Sequence, residues 1–146
     1  MRVIAKLALL MVILQIAAFA APADKPNIEA LRARADAAQG HSCAEVCLEA
    51  AQALVEDSDK QFTDGHPDVG HQEMKDAAEY AGKATKGSIQ SNKRQKKTEI
   101  GLRKLSRRMT EIRQTLAIDD RPPVDELIKS VEKMRTDLLM SMFDEK

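Results

Sequence analysis

Both cysteines of the chain stand in one seven-residue stretch, His41-Ser42-Cys43-Ala44-Glu45-Val46-Cys47. Positions four apart share one face of a helix, so Cys43 and Cys47 project side by side if the stretch is helical. Thiolate and imidazole both ligate soft metals, and His41 is near enough to fold toward the pair. The candidate metal-ligating set is therefore His41, Cys43 and Cys47. A tetrahedral site takes four ligands. The other histidines, His66 and His71, lie roughly 20 residues away, about 30 Å along a straight helix. A site of two or three ligands suits Cu(I) better than Zn(II).

Other readings of the same residues compete with a metal. A Cys43–Cys47 disulfide or redox pair suits an oxidising compartment. Its geometry is poor on a regular helix, where the β-carbons sit about 5–6 Å apart against about 3.8 Å in a disulfide. Cys47 falls on an apolar stripe and also reads as a small core residue. An exposed Cys43 would permit an intermolecular bond. With Ser42 as cap and Glu45 three residues on, the stretch fits a capping box. That places Cys43 in the first turn, where the amides favour its thiolate. Cys43 is thus expected to be the more exposed and more acidic thiol.

Elsewhere the sequence carries little catalytic vocabulary. There is no Gly-rich phosphate loop, no Gly-x-Ser-x-Gly and no His-Glu-x-x-His. The acidic groups Glu56, Asp57, Asp59, Asp119 and Asp120 read as solvated faces and caps. His66 and His71 flank Pro67 in a turn. The chain is expected to be non-enzymatic, and no cofactor is implied beyond copper or zinc at the cysteine cluster.

The elements that must position these residues are helices. Of the 146 residues, 43% are hydrophobic and 32% charged, but only 3% are aromatic. That starves an all-β sandwich or barrel of its β-branched and aromatic faces. Residues 1–20 read as a secretory signal: Arg2 and Lys6, an apolar run over 7–20, then Ala18-Phe19-Ala20 as the cleavage pattern. The apolar run falls short of the roughly 20 residues a spanning helix needs. The protein is expected to be exported, to a periplasm or beyond, with 21–146 as a single helical domain.

Within that domain a short helix is expected from about Pro26 to Ala38, ended by Gly40. A second starts at Ser42 with the stripe Val46, Cys47, Ala50, Ala51, Leu54, Val55 and Phe62. Thr63-Asp64-Gly65-His66-Pro67 stops it. From Pro67 to Ala117 there is no further proline. Met74, Ala77, Ala78 and Ala81 give a small-residue stripe, which sharpens into Thr98, Leu102, Leu105, Met109, Ile112 and Leu116. The 3–4 alternation is that of a helical seam. This is either one central helix of about 50 residues, roughly 75 Å long, or two helices broken near Gly87–Asn92. Asp119-Asp120-Arg121-Pro122-Pro123 makes the last turn, with Asp as cap and proline in the first helical turn. The final stripe, Val124, Leu127, Val131, Met134, Leu138 and Met142, doubles back as an antiparallel hairpin on 98–117. The expected fold is all-α: an elongated bundle of about four helices.

Charge is segregated along this chain. Residues 21–80 carry a net −8, residues 81–113 a net +9 and residues 114–146 a net −3. Folded acidic arms can neutralise the basic segment 93–113, or the segment can serve an anionic envelope polymer or lipid. No aromatic lies between residues 81 and 142, which removes the stacking platform for nucleic acid. The leading expectation is an exported helical module that binds a protein partner or itself. The alternative is a metal-handling or thiol-redox protein using His41, Cys43 and Cys47.

Overall fold

A computed structural model describes residues 27–144 of the protein. The expected signal segment 1–20 and the first residues of the mature domain lie outside that range. The described chain is all-α: α1 Ile28–Ala37, α2 Gly40–Thr63, α3 Pro67–Ser91, α4 Gln95–Thr115 and α5 Arg121–Phe143, with a 3-10 turn at Ile118–Asp120. Among the described residues, no helix is long and apolar enough to cross a membrane.

Side-chain pairs fix the directions. In the α2–α3 hairpin, Phe62 meets Gly70 at the turn and Gly40 meets Gly87 at the far end. In the α4–α5 hairpin, Arg113 holds Asp125 near the turn, Arg135 reaches Glu99, and Gln95 donates to Ser141 at the far end. Both hairpins are antiparallel, as the short turns require. They stack with α4 parallel to α2, through the pairs Arg94–Glu45 and Arg108–Glu56. Likewise α5 runs parallel to α3, through Asp120–His71 and Met134–Gly82. Helix α1 leans on the outside of the first hairpin, with Arg32 bridged to Asp76 and Arg34 to Glu49.

The core follows the stripes. Cys47, Ala50, Ala51, Leu54 and Val55 of α2 are buried, as are Met74, Ala77, Ala78 and Ala81 of α3. So are Leu102, Leu105, Met109 and Ile112 of α4 and Val124, Val131 and Leu138 of α5. Alanine and glycine let α2 and α3 approach closely. The larger Leu, Met and Ile side chains fill the space between hairpins.

The structure decides one open alternative, in favour of a break near Asn92, and corrects two local expectations. The stretch 67–117 is two helices, not one: Asn92 caps α3 in the left-handed conformation at φ 51° and Arg94 follows at φ 60°. Asn tolerates this region because its short polar side chain fits there, and the Ser88 hydroxyl donates to the Lys93 carbonyl at 2.7 Å across the turn. A straight 75 Å helix would carry the α4 stripe away from α2 and α5, leaving it in water. Second, α2 begins at Gly40 with Gln39 as its cap residue and no side-chain cap bond, so Ser42 is an exposed residue inside the first turn. The α1–α2 connection is only Ala38–Gln39, and Gly40 at φ 59° supplies its turn. Third, Asp120 makes no side-chain cap bond to α5: the second and third residues of that helix, Pro122 and Pro123, have no N–H to offer it, and its carboxylate meets His71 instead.

Candidate functional site

The cysteine pair sits where α1, α2 and α3 meet. Cys43 is 8% exposed and Cys47 fully buried, and both are free thiols. The Cys47 thiol donates to the Ala35 carbonyl of α1 at 3.5 Å. Burial, and then the neighbouring Cys43, push the Cys47 thiol up to about 12. A thiol held protonated is a poor nucleophile and a poor metal ligand. Cys43 keeps its place as the more accessible of the two, but it is a buried residue rather than an exposed one. Moving the cap from Ser42 to Gln39 sets Cys43 three positions further into the helix and turns it toward Gly87 of α3.

Above Cys43 lies an open recess of about 450 Å³, walled by Asp36, Gly40, Lys83 and Lys86. The Lys83 ammonium is held by Asp36 at 3.3 Å and lies over the Tyr80 ring. The Tyr80 hydroxyl donates to the same carboxylate at 2.9 Å. These bonds hold Asp36 below its ordinary range. His41 stands exposed on the first turn of α2. Among the described residues, no three His, Cys, Asp or Glu side chains are grouped to hold a metal ion. The structure thus brings Cys43 and Cys47 to one junction without gathering His41 into a ligand set with them.

Two other polar contacts were not legible as sites in the sequence. Glu73 of α3 faces Asp57 of α2, and one of its carboxylate oxygens, Oε2, is buried without a hydrogen-bond partner. Burial and then Asp57 push the Glu73 carboxyl up to about 7. Its position, three after Gly70 and four before Ala77, is the signal that was available: it borders the small-residue stripe. His71 is the second case. Its Nε2 lies 3.3 Å from Asp120, and the ring meets the edge of Phe62 with centroids 5.0 Å apart. An ionised carboxylate only accepts, so Nε2 carries the proton, leaving the buried Nδ1 without a partner. His71 therefore ties the α2–α3 turn to the α4–α5 turn, while His66 remains exposed.

No family model, curated protein or solved structure matches this chain.

The basic segment 93–113 is largely spoken for by its arginines. Arg108 grips Glu56 with two bonds of 2.8 and 2.9 Å and Asp59 with a third of 2.8 Å. Arg94 holds Glu45, Arg113 holds Asp125, Arg103 holds Glu99 and Arg107 holds Glu111. Lys93, Lys96, Lys97 and Lys104 are exposed and make no ion pair among the described residues. Three of these four cluster where α3 passes into α4.

Among the described residues, large exposed apolar side chains are confined to the two ends of the bundle. Val69 (46%) and Ile118 (77%) stand at the end formed by the α2–α3 and α4–α5 turns. Phe62, Pro67, Leu116 and Ala117 line one recess there, which places the two turns side by side. Met140 (60%) and Phe143 (73%) stand at the opposite end, next to the start of α4.

Proposed function

We propose that this protein is an exported, non-enzymatic helical module of the cell envelope that works by binding a protein partner or itself. The observation that carries this reading is the placement of Val69, Ile118, Met140 and Phe143. They are exposed at the ends of a bundle whose long sides have closed their core. Exposed apolar side chains rimmed by charge are the ordinary signature of a contact surface. Export rests on the signal pattern of residues 1–20.

The test is site-specific photo-crosslinking in the exporting cell. Crosslinkers at Ile118 and Phe143 should give discrete adducts, while crosslinkers at Glu79 and Thr136, exposed on the sides, should not. Absence of adducts at both ends would sink the binding reading.

A second reading draws on the recess over Cys43, in which Lys83 and Lys86 flank a thiol with another thiol one turn behind. In this reading the pair handles thiol-redox chemistry or a soft metal such as Cu(I). It requires Cys43→Ser to abolish function, whereas the leading reading tolerates serine at both positions.

A further inference from the structure

The two ends differ in charge as well as sharing exposed apolar groups. At the turn end, Asp64, Asp68 and Asp119 are exposed and form no ion pair among the described residues. Of the cations there, Lys60 sits beside Asp57, while Arg121 donates to the neutral Leu116 and Gln114 carbonyls and sets one positive charge against these three carboxylates. The unpaired balance at this end is acidic, around Val69 and Ile118.

At the opposite end the imbalance reverses. Lys86, Lys93, Lys96 and Lys97 are exposed without ion pairs among the described residues. The acids nearby are held: Asp36 by Lys83, Glu45 by Arg94, Glu99 by Arg135 and Asp137 by Lys133. Among the described residues, Asp144 alone stands exposed there without a cation. The unpaired balance is basic, around Met140 and Phe143.

We propose that the occupant of each end is a second copy of this chain, docked end to end, with the acidic turn end of one bundle against the basic end of the next. The proposal rests on the binding reading above and names its partner. One contact explains both apolar patches and both charge imbalances, whereas an anionic surface would explain only the basic end. The contact is heterologous, since the two faces differ, and so it propagates instead of closing into a dimer. Four helices at the turn end and five at the other, at 8–10 Å spacing, present roughly 300–500 Å² per end. That is below the about 800 Å² per partner of a stable complex. The association is therefore weak, concentration-dependent and easily screened by salt.

Sedimentation velocity on protein purified from the exporting cell tests this. The wild type should shift to larger species as concentration rises at low ionic strength. It should return to monomer at about 0.5 M salt, where screening acts within about 4 Å. Lys93→Glu/Lys96→Glu/Lys97→Glu and Asp64→Lys/Asp68→Lys/Asp119→Lys should each stay monomeric, with helical circular dichroism unchanged. An equimolar mixture of the two should associate again, because each variant supplies the end the other can bind. A wild type that stays monomeric, a dimer that does not grow, variants that associate like wild type, or a mixture that stays monomeric would each overturn end-to-end docking. Vesicles of phosphatidylglycerol in phosphatidylcholine serve as a parallel arm. Binding by monomeric wild type that the lysine variant loses would overturn self-docking in favour of a lipid surface. End-specific crosslinks to a different protein, with a monomer in solution, would leave the binding reading standing and remove this one.

Discussion

Gly87 of α3 rests directly on the backbone of Gly40 at the start of α2. A β-carbon on Gly87 would stand 2.5 Å from the Gly40 carbonyl oxygen and 3.5 Å from the Cys43 β-carbon. The obstacle is backbone, which cannot swing aside as a side-chain end can. This contact sets how deeply Cys43 is buried and closes the far end of the first hairpin.

Gly87→Ala should therefore destabilise the protein despite alanine's better helix propensity. Overpacking of this kind costs about 1–3 kcal/mol, against a propensity gain of about 1 kcal/mol. Gly82→Ala is the control, because its β-carbon would meet only the end of Met134 at 3.4 Å. Thermal melts should show a lower Tm for the first variant and an unchanged or higher one for the second. The same direction in both would show that the helices are free to move apart at Gly87.

Glu73 should make stability depend on pH in the direction opposite to most carboxylates. Its carboxyl is raised from an ordinary 4.5 to about 7 by burial and by Asp57. The folded state then binds more protons than the unfolded one between those values. Stability from this group is complete below about pH 4.5 and is lost as pH rises through about 7. Glu73→Gln should remove that loss, leaving the variant more stable than wild type at pH 8. Denaturant titrations at pH 5 and pH 8 measure it; an equal pH response in both proteins would show Glu73 to be solvated.

The thiols should react slowly and unequally. Alkylation read by mass spectrometry should modify Cys43 first, through the recess beside Lys83 and Lys86, and Cys47 only as the fold opens. Denaturant should equalise the two. Cys47 reacting as fast as Cys43 in the native state would mean that the α1–α2 contact at Ala35 is not maintained.

The Arg108 network should couple α4 to α2 modestly. Arg108 and its partners Glu56 and Asp59 are each a third or more exposed. A double-mutant cycle on Arg108→Met and Glu56→Gln should give a coupling of about 0.5–1 kcal/mol, falling with added salt. No coupling at low salt would remove this pair as a link between hairpins.

The second hairpin should not survive a charge in its core. Leu105 and Leu138 are essentially fully buried, and burying an unpaired carboxylate costs several kcal/mol. Leu105→Asp and Leu138→Asp should each abolish cooperative unfolding of that hairpin by circular dichroism. Unchanged melts would show that the α4–α5 seam is elsewhere.

Composition and periodicity by themselves determined that the chain is helical, which faces turn inward, and that residues 98–117 and 124–143 form a hairpin. Those properties are local: spacings of three and four write a face, and a short turn forces neighbours to run antiparallel. Tertiary structure alone decided where the helices break and what the polar residues do. Ser42 and Glu45 satisfied a capping pattern, yet the helix starts at Gly40, where the chain must turn from α1 and lie against Gly87. Asp120 had the right type for a cap, but Pro122 and Pro123 give it no N–H to accept from, and His71 reaches its carboxylate from another helix. Cys43 passed from an expected surface thiol to a buried one for the same reason: it is covered by Gly87 of α3, 44 positions away. So too with the basic segment, where Arg94 and Arg108 find partners in α2 and Arg113 in α5, while Lys93, Lys96 and Lys97 are left at one end. A residue's type limits the bonds it can make, but which groups arrive beside it depends on how whole helices stack.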